Sequence, residues 1–326
     1  MPLSLRRGTV TAITEQADAL IRLEVDGIPS VAYPRLTGPV AVGDDVVVNE
    51  QARLLVLGSG GFDILYANLT RGLGLAAQED AHVVKLPYTP VQAAWRHLEE
   101  TEPLAESLGG MPVVCCSVHS QLAPVCAGIG AGLRVAYVQL AGGALPVSLS
   151  DSVRVLKARG LVESAVAAGA CLDGDSSCVS VASGLAWAAE AGFDVVVCAI
   201  GPGIVGTASS LGHGALAAAE AANAAAALGG STVLALRVSH ADSRKRHRGI
   251  SHHTRSILRL CLGDVAVAWP AGFDPPNGLE PRAVDVAGWE EACSELTLTH
   301  MGRGPEDDPI FFAAAFAAGR LARELA

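Results

Sequence analysis

The densest group of chemically active side chains in the chain is one stretch, Ser239-His240-Ala241-Asp242-Ser243-Arg244-Lys245-Arg246-His247-Arg248-Gly249-Ile250-Ser251-His252-His253-Thr254. Four of the nine histidines lie in it. Arginine offers a planar fork of donors that matches carboxylate and phosphate, and histidine changes charge near neutral pH. Arg244, Arg246 and Arg248 therefore read as anion ligands, with His247, His252 or His253 as general acid or base and Asp242 orienting a histidine or an arginine. Ser251 is placed to N-cap a helix that starts at His252, which turns free N–H groups and the positive end of a helix dipole toward the same loop. The competing reading is a solvated basic loop, because charge runs usually face water.

Metal chemistry is the next candidate. His240, Asp242, His247 and His252 or His253 supply nitrogen and oxygen ligands. No H-E-x-x-H or His-x-His spacing orders them, and the neighbouring arginines repel a dication, so no metal is assigned and any cofactor stays open. His119 with Ser117 or Ser120 has the composition of a base and nucleophile, yet no G-x-S-x-G elbow presents a serine, and a helix-capping histidine is the simpler reading. The loop Gly201-Pro202-Gly203-Ile204-Val205-Gly206-Thr207 lets backbone amides approach a ligand, so Gly201, Gly203 and Thr207 join the anion candidates. It matches neither a Walker loop nor GxGxxG, and a tight structural turn explains it equally well. Lys85 stands at a strand end before Pro87-Tyr88-Thr89-Pro90, where it would pair with an acid or meet an anion. Asp173 and Asp175 suit Mg²⁺ with a substrate phosphate, or simply a turn and cap. Leu57-Gly58-Ser59-Gly60-Gly61 lacks the lysine and helix of a phosphate loop and reads as a tight turn.

These residues need a frame. Residues 1–70 show short alternating runs at 9–12, 20–25, 30–33 and 46–49, bounded by Gly, Pro or Asp, which predicts a small antiparallel β-module of SH3-like or OB-like type. Val40-Ala41-Val42-Gly43-Asp44-Asp45-Val46-Val47 reads there as strand, turn, strand. From 71 to 326 apolar runs alternate with Ala-rich or amphipathic stretches, the pattern of βα units around a parallel sheet. Strands are predicted at 83–86, 112–117, 134–139, 164–168, 194–200, 232–238 and 265–268. A terminal helix is predicted from Asp308-Pro309 through Phe311, Phe312, Phe316 and Leu321. Ligands of such sheets bind beyond the carboxyl ends of the strands, where nearly all the candidate residues fall.

Composition narrows the classes. The chain has 326 residues and a formal charge of -10, which repels polyanions and argues against nucleic acid. The apolar run 178–200 is broken by Glu190, Gly192 and Asp194, so it reads as a helix and a strand rather than a membrane span. The first seven residues lack an apolar signal region, which leads to a cytoplasmic expectation. Eight cysteines without a CxxC pair read as small core residues, with vicinal redox chemistry at Cys115-Cys116 as the minor alternative.

Several phrases together resemble one family: Lys85-Leu86-Pro87-Tyr88-Thr89-Pro90-Val91-Gln92, His119-Ser120, the Gly201 to Thr207 loop, Arg246-His247-Arg248-Gly249 with Ser251-His252-His253-Thr254, Met301-Gly302-Arg303, and Asp308-Pro309-Ile310-Phe311-Phe312. The chain is similar, over nearly its whole length, to the bacterial domain-of-unknown-function family thirty-eight sixty-six. The resemblance implies no activity. His240 stands where that family's pattern suggests an apolar or aromatic residue, and Gln139-Leu140-Ala141 where it suggests an acid.

The fold expected is α/β, a doubly wound and mainly parallel sheet preceded by a small antiparallel, barrel-like β-module. The function expected is an enzyme, a hydrolase or group transferase, acting on a small anionic metabolite at the carboxyl edge of the sheet. The alternative is a non-catalytic ligand sensor or protein-binding scaffold. A small anion is the expected ligand, nucleic acid and membrane are not expected partners, and the Ala-rich run 215–227 is a possible homo-oligomer contact.

Overall fold

A computed structural model describes residues 3–57, 60–76, 80–276 and 278–326. The chain divides into two compact units, Met1–Trp95 and Arg96–Ala326.

In the first unit five strands close into a barrel in the order β1-β2-β3-β5-β4: β1 (Leu5–Gln16), β2 (Ile21–Val25), β3 (Ile28–Ala32), β4 (Asp45–Asn49) and β5 (Asp63–Asn68). All neighbours are antiparallel except β3 and β5. Every second residue points inward, so Ile21, Leu23, Val25, Val46 and Val48 form the barrel core. Asp26 and Gly27, both at positive φ, make the tight turn between β2 and β3. The segment before β4 is not the expected first arm of a hairpin. The Asp44 carboxylate accepts from the backbone N–H of Ala41 at 2.9 Å, from Asn68 at 2.8 Å and from Arg71 at 2.9 Å, folding 41–44 into a turn. Single-turn helices α1 (Pro34–Thr37) and α2 (Gln51–Leu54) fill two connections. The Gly-rich turn expected at Leu57 to Gly61 includes residues 58 and 59, which lie outside the described residues. A separate antiparallel hairpin, β6 (Val83–Lys85) and β7 (Ala93–Trp95), ends this unit. The strand expected at 83–86 thus exists but is not part of the parallel sheet.

The second unit is built on eight parallel strands in the order β11-β10-β9-β12-β8-β13-β16-β17. These are β8 (Pro112–Cys116), β9 (Val135–Leu140), β10 (Ser164–Ala168), β11 (Ser176–Cys178), β12 (Val195–Ile200), β13 (Ser231–Ala235), β16 (Ala266–Pro270) and β17 (Arg282–Val284). The short strands β14 (Val238–Ser239) and β15 (Gly249–Ile250) pair antiparallel beside the sheet. The helices are α3 (Leu122–Ile129), α4 (Asp151–Ala158), α5 (Val181–Glu190), α6 (Ala217–Ala227), α7 (His252–Leu260), α8 (Trp289–Ala292) and α9 (Pro309–Leu325). Central strands buried on both faces explain the unbroken Val-rich runs. Val114 and Cys116 face the side covered by α3, α4, α8 and α9, whereas Val113 and Cys115 face α5, α6 and α7. Cys115 and Cys116 therefore point to opposite layers, both fully buried, and burial pushes both thiols well up. The apolar run 178–200 is α5 followed by β12, and among the described residues no helix is long and apolar enough to cross a membrane. The buried alanines of α6 lie in the core on that second face, Ala218, Ala219, Ala221, Ala222 and Ala225 among them.

The chain leaves β8 for α3 on one face, and leaves β12 and β13 for α6 and α7 on the other. Connections that part in this way open crevices at the carboxyl ends of β8, β12 and β13, the position where open α/β sheets bind ligands.

Candidate functional site

Beyond β13 the chain reaches Arg237, then β14, and returns through β15 into α7. The basic stretch is therefore a loop clamped at both ends by the β14–β15 pair, with Val238 opposite Ile250 and Ser239 opposite Gly249. Ser251 caps α7, its Oγ accepting the His253 backbone N–H at 3.2 Å, as its type predicts. The same Oγ shares a 2.8 Å hydrogen bond with His247 Nδ1, which ties the loop to the helix.

Four imidazoles meet there. His213, which follows the Gly201–Thr207 loop in sequence, stacks on His253 with ring centroids 3.9 Å apart and planes 22° apart. His252 lies 4.4 Å from His253 and 4.9 Å from His247, and His247 is 4.9 Å from His253. Arg237, 1 % exposed, stands against them. Its Nη1 donates to His253 Nδ1 at 2.8 Å and its Nη2 to His300 Nε2 at 3.4 Å. A guanidinium can only donate, so both nitrogens are acceptors, and each neutral ring carries its proton on the other nitrogen. His300 Nδ1–H accordingly donates to Ser120 Oγ at 2.8 Å, and the ring lies flat on Phe311 with centroids 3.9 Å apart.

The charges around the cluster do not cancel. Asp242 is held by Arg244, through bonds of 3.0 and 2.8 Å, and by Arg303 at 3.3 Å. Burial by itself raises its pKa, but the Arg244 guanidinium and backbone N–H hold the carboxyl well below the usual range. Asp308 accepts from Ser239 Oγ and from the His240 backbone N–H, and lies 3.5 Å from Arg303 Nε. Arg237 makes no ion pair among the described residues, and burial lowers its pKa to about 10. Three guanidiniums thus face two carboxylates. The rings record the excess: burial first, then Arg237, lowers His247 to about 3, His253 to about 2 and His300 to about 3, with Arg244 adding to the shift at His247 and Arg303 at His300. His213 and His252 are lowered for the same reasons, with the nearby Ser210 backbone opposing the shift at His213. The rings are neutral at pH 7 in a positive field. Both nitrogens of His213 and Nε2 of His252 are shielded from solvent and have no hydrogen bond of normal geometry.

One ring nitrogen from each of His213, His252 and His253 lies within 4.8 Å of the others, the one group among the described residues with metal-site composition. Zinc bound at ordinary Zn–N lengths needs its nitrogens about 3.4 Å apart. Lone pairs lie in the ring planes, and stacked planes only 22° apart do not meet beside the rings. With Arg237 already on His253 Nδ1, this arrangement fits a dication poorly.

The other candidate residues sit elsewhere along the same edge or away from it. His119 follows β8. Its Nδ1 faces the Ile200 carbonyl at 3.1 Å and its Nε2 meets Ser150 Oγ at 2.7 Å. Ser117 bonds Gln121 instead, and Ser120 bonds His300. Gly201 is buried where a Cβ would lie 2.0 Å from the Ala144 carbonyl, so that glycine serves backbone packing between the loops after β9 and β12. Gly203 is exposed at φ 69°, and Thr207 closes its own loop onto Gly212 at 3.0 Å. Arg246 and Arg248 are exposed, as is His240, which contributes a backbone N–H. Lys85 belongs to the first unit, buried in the β6–β7 hairpin. Asp175 pairs with Lys157 and accepts the Ala165 N–H at 2.8 Å, at the start of β10 and away from the carboxyl edge.

His213, Arg237 and His300 are absent from the sequence-based candidates. None lies in a motif. A glycine-rich loop leading to His213 and the position of His300 beside Met301-Gly302-Arg303 are the only local signals.

The family model described as "Protein of unknown function (DUF3866)" matches residues 29–319. No curated protein matches the chain.

Proposed function

We propose, for a chain that belongs to the family of proteins of unknown function designated DUF3866, an enzyme that binds a small anionic metabolite at the carboxyl edge of the sheet and carries out hydrolysis or group transfer. The observation that supports it best is Arg237, a fully buried guanidinium with two neutral histidines and no carboxylate as partners. An uncompensated buried charge costs several kcal/mol, and an anion bound beside it offsets that cost. His252 is half-buried and Arg244 partly exposed, so these two, with Arg246, are the groups that meet the ligand, while Arg237 stands behind them. Neutral His252 offers an N–H donor or a lone pair at pH 7, as general acid–base chemistry requires.

Thermal unfolding with inorganic phosphate, sulfate and a set of small carboxylates tests this. A ligand at one hundred times its Kd adds about 2.7 kcal/mol to the folded state, which raises the midpoint by several degrees. The wild type responds to at least one oxyanion, and Arg237→Met, Arg246→Ala and His252→Ala lose the response. Zn²⁺ without an anion gives no rise. A wild type indifferent to every oxyanion overturns the proposal and favours the scaffold alternative.

A further inference from the structure

We infer that Ser150 and His119 form a nucleophile–base pair, with the Ile200 carbonyl in the place of the third, orienting member. This rests on the enzyme reading above, but not on its anion site. The polarity of the hydrogen bonds is settled by chemistry. A carbonyl only accepts, so His119 Nδ1–H donates to Ile200 at 3.1 Å. Nε2 is then the lone pair, and the Ser150 hydroxyl donates to it at 2.7 Å. That is the direction in which a base draws a proton from an attacking oxygen. Three connections supply the three groups: His119 follows β8, Ile200 ends β12, and Ser150 precedes α4. They close the crevice where the chain leaves β8 and β12 toward opposite faces. Ser150 is the N-cap of α4, its Oγ accepting from Val153 N–H at 3.0 Å, so the positive end of the helix dipole favours negative charge on that oxygen. Ser150 is 1 % exposed and His119 half-buried, so attack by Ser150 requires the substrate to enter beside the imidazole. Ser120, next in sequence to His119, is bonded to His300 and through it to Arg237.

The substrate class is a carboxylic ester. The Ser150 Oγ–carbon bond forms as its proton passes to His119 Nε2. The ester C–O bond then breaks and the leaving alcohol takes that proton. Water attacks the acyl-serine, gives its proton to Nε2, and the proton returns to Ser150 as the acid is released.

Full-length protein treated with a fluorophosphonate, which phosphonylates activated serines with loss of fluoride, should carry the adduct on Ser150 by peptide mass spectrometry. Ser150→Asn, which keeps a capping oxygen, should fold and lose the label. His119→Gln keeps a donor for Ile200 but has no base, and its labelling should slow at least tenfold with little change in melting temperature. Wild type unlabelled at Ser150, or His119→Gln labelled at the wild-type rate, overturns the pair, and the wild-type result decides the matter even if the His119 variant fails to fold. Labelling without any oxyanion response would leave the pair standing and remove the anion site; the reverse would remove only the pair.

Discussion

Arg237 is among the largest fully buried side chains of the described residues, and it fixes the protonation of its neighbours. Because it donates to His253 Nδ1 and His300 Nε2, both rings must remain unprotonated at those atoms to keep the bonds. Burial and the arginines depress the folded-state values of His247, His253 and His300 to about 3, 2 and 3, against about 6.5 in an unfolded chain. The fold prefers the neutral form, so the unfolded chain takes up protons first as pH falls. Their contribution is whole above about pH 6.5 and is lost progressively toward pH 3. The melting temperature should therefore decline between pH 7 and pH 4.5, before carboxylates titrate, and the slope should be shallower in His247→Asn and His300→Asn. A flat profile in that interval would contradict the positive field described here. At this scale the basic stretch was legible, because histidines and arginines are crowded there in a chain otherwise poor in charge. The buried arginine was not, since one Arg between Leu236 and Val238 carries no local mark of being buried.

Helices α3 and α9 meet closely on one face of the sheet. A Cβ on Gly128 would lie 2.2 Å from the Phe316 carbonyl, and one on Gly319 2.0 Å from the Val125 carbonyl. Neither obstacle is a side-chain end that can swing aside, so Gly319→Ala forces the two helix backbones apart. Overpacking of this kind costs about 1–3 kcal/mol. Urea unfolding should show a lower midpoint at an unchanged slope, and the response to oxyanions should survive, because neither helix carries Arg237 or the histidine cluster. The helix α9 was readable from its phenylalanine spacing and its Asp-Pro start. Strands β11 and β17 were not, because three residues at a sheet edge are too few to establish a period. The missing hairpin before β4 has a side-chain cause, the Asp44 carboxylate taking the Ala41 backbone N–H that a strand would use.

Arg237, His119, Ser150, His300 and the histidine cluster all belong to the unit Arg96–Ala326. That unit contains the whole eight-stranded sheet and both of its helical layers, which is enough core for independent folding. A fragment of residues 96–326 should unfold cooperatively by circular dichroism and should keep any oxyanion-dependent stabilisation of the full chain. A fragment that stays unfolded, or folds without that response, would show that the first unit is needed. The sequence by itself determined the class of fold and the order of the two modules, because alternation, apolar runs and capping residues act over a few residues and survive in the linear text. It also determined that one loop would be basic and rich in histidine. Tertiary structure alone decided the partners: His300 joins Arg237 across 63 positions and Ser150 joins His119 across 31. Such contacts are set by which strands lie side by side and where their loops emerge. No spacing along the chain records that, and so Ser150, which no motif marks, and Arg237, inside a predicted strand, became the residues on which the proposed chemistry turns.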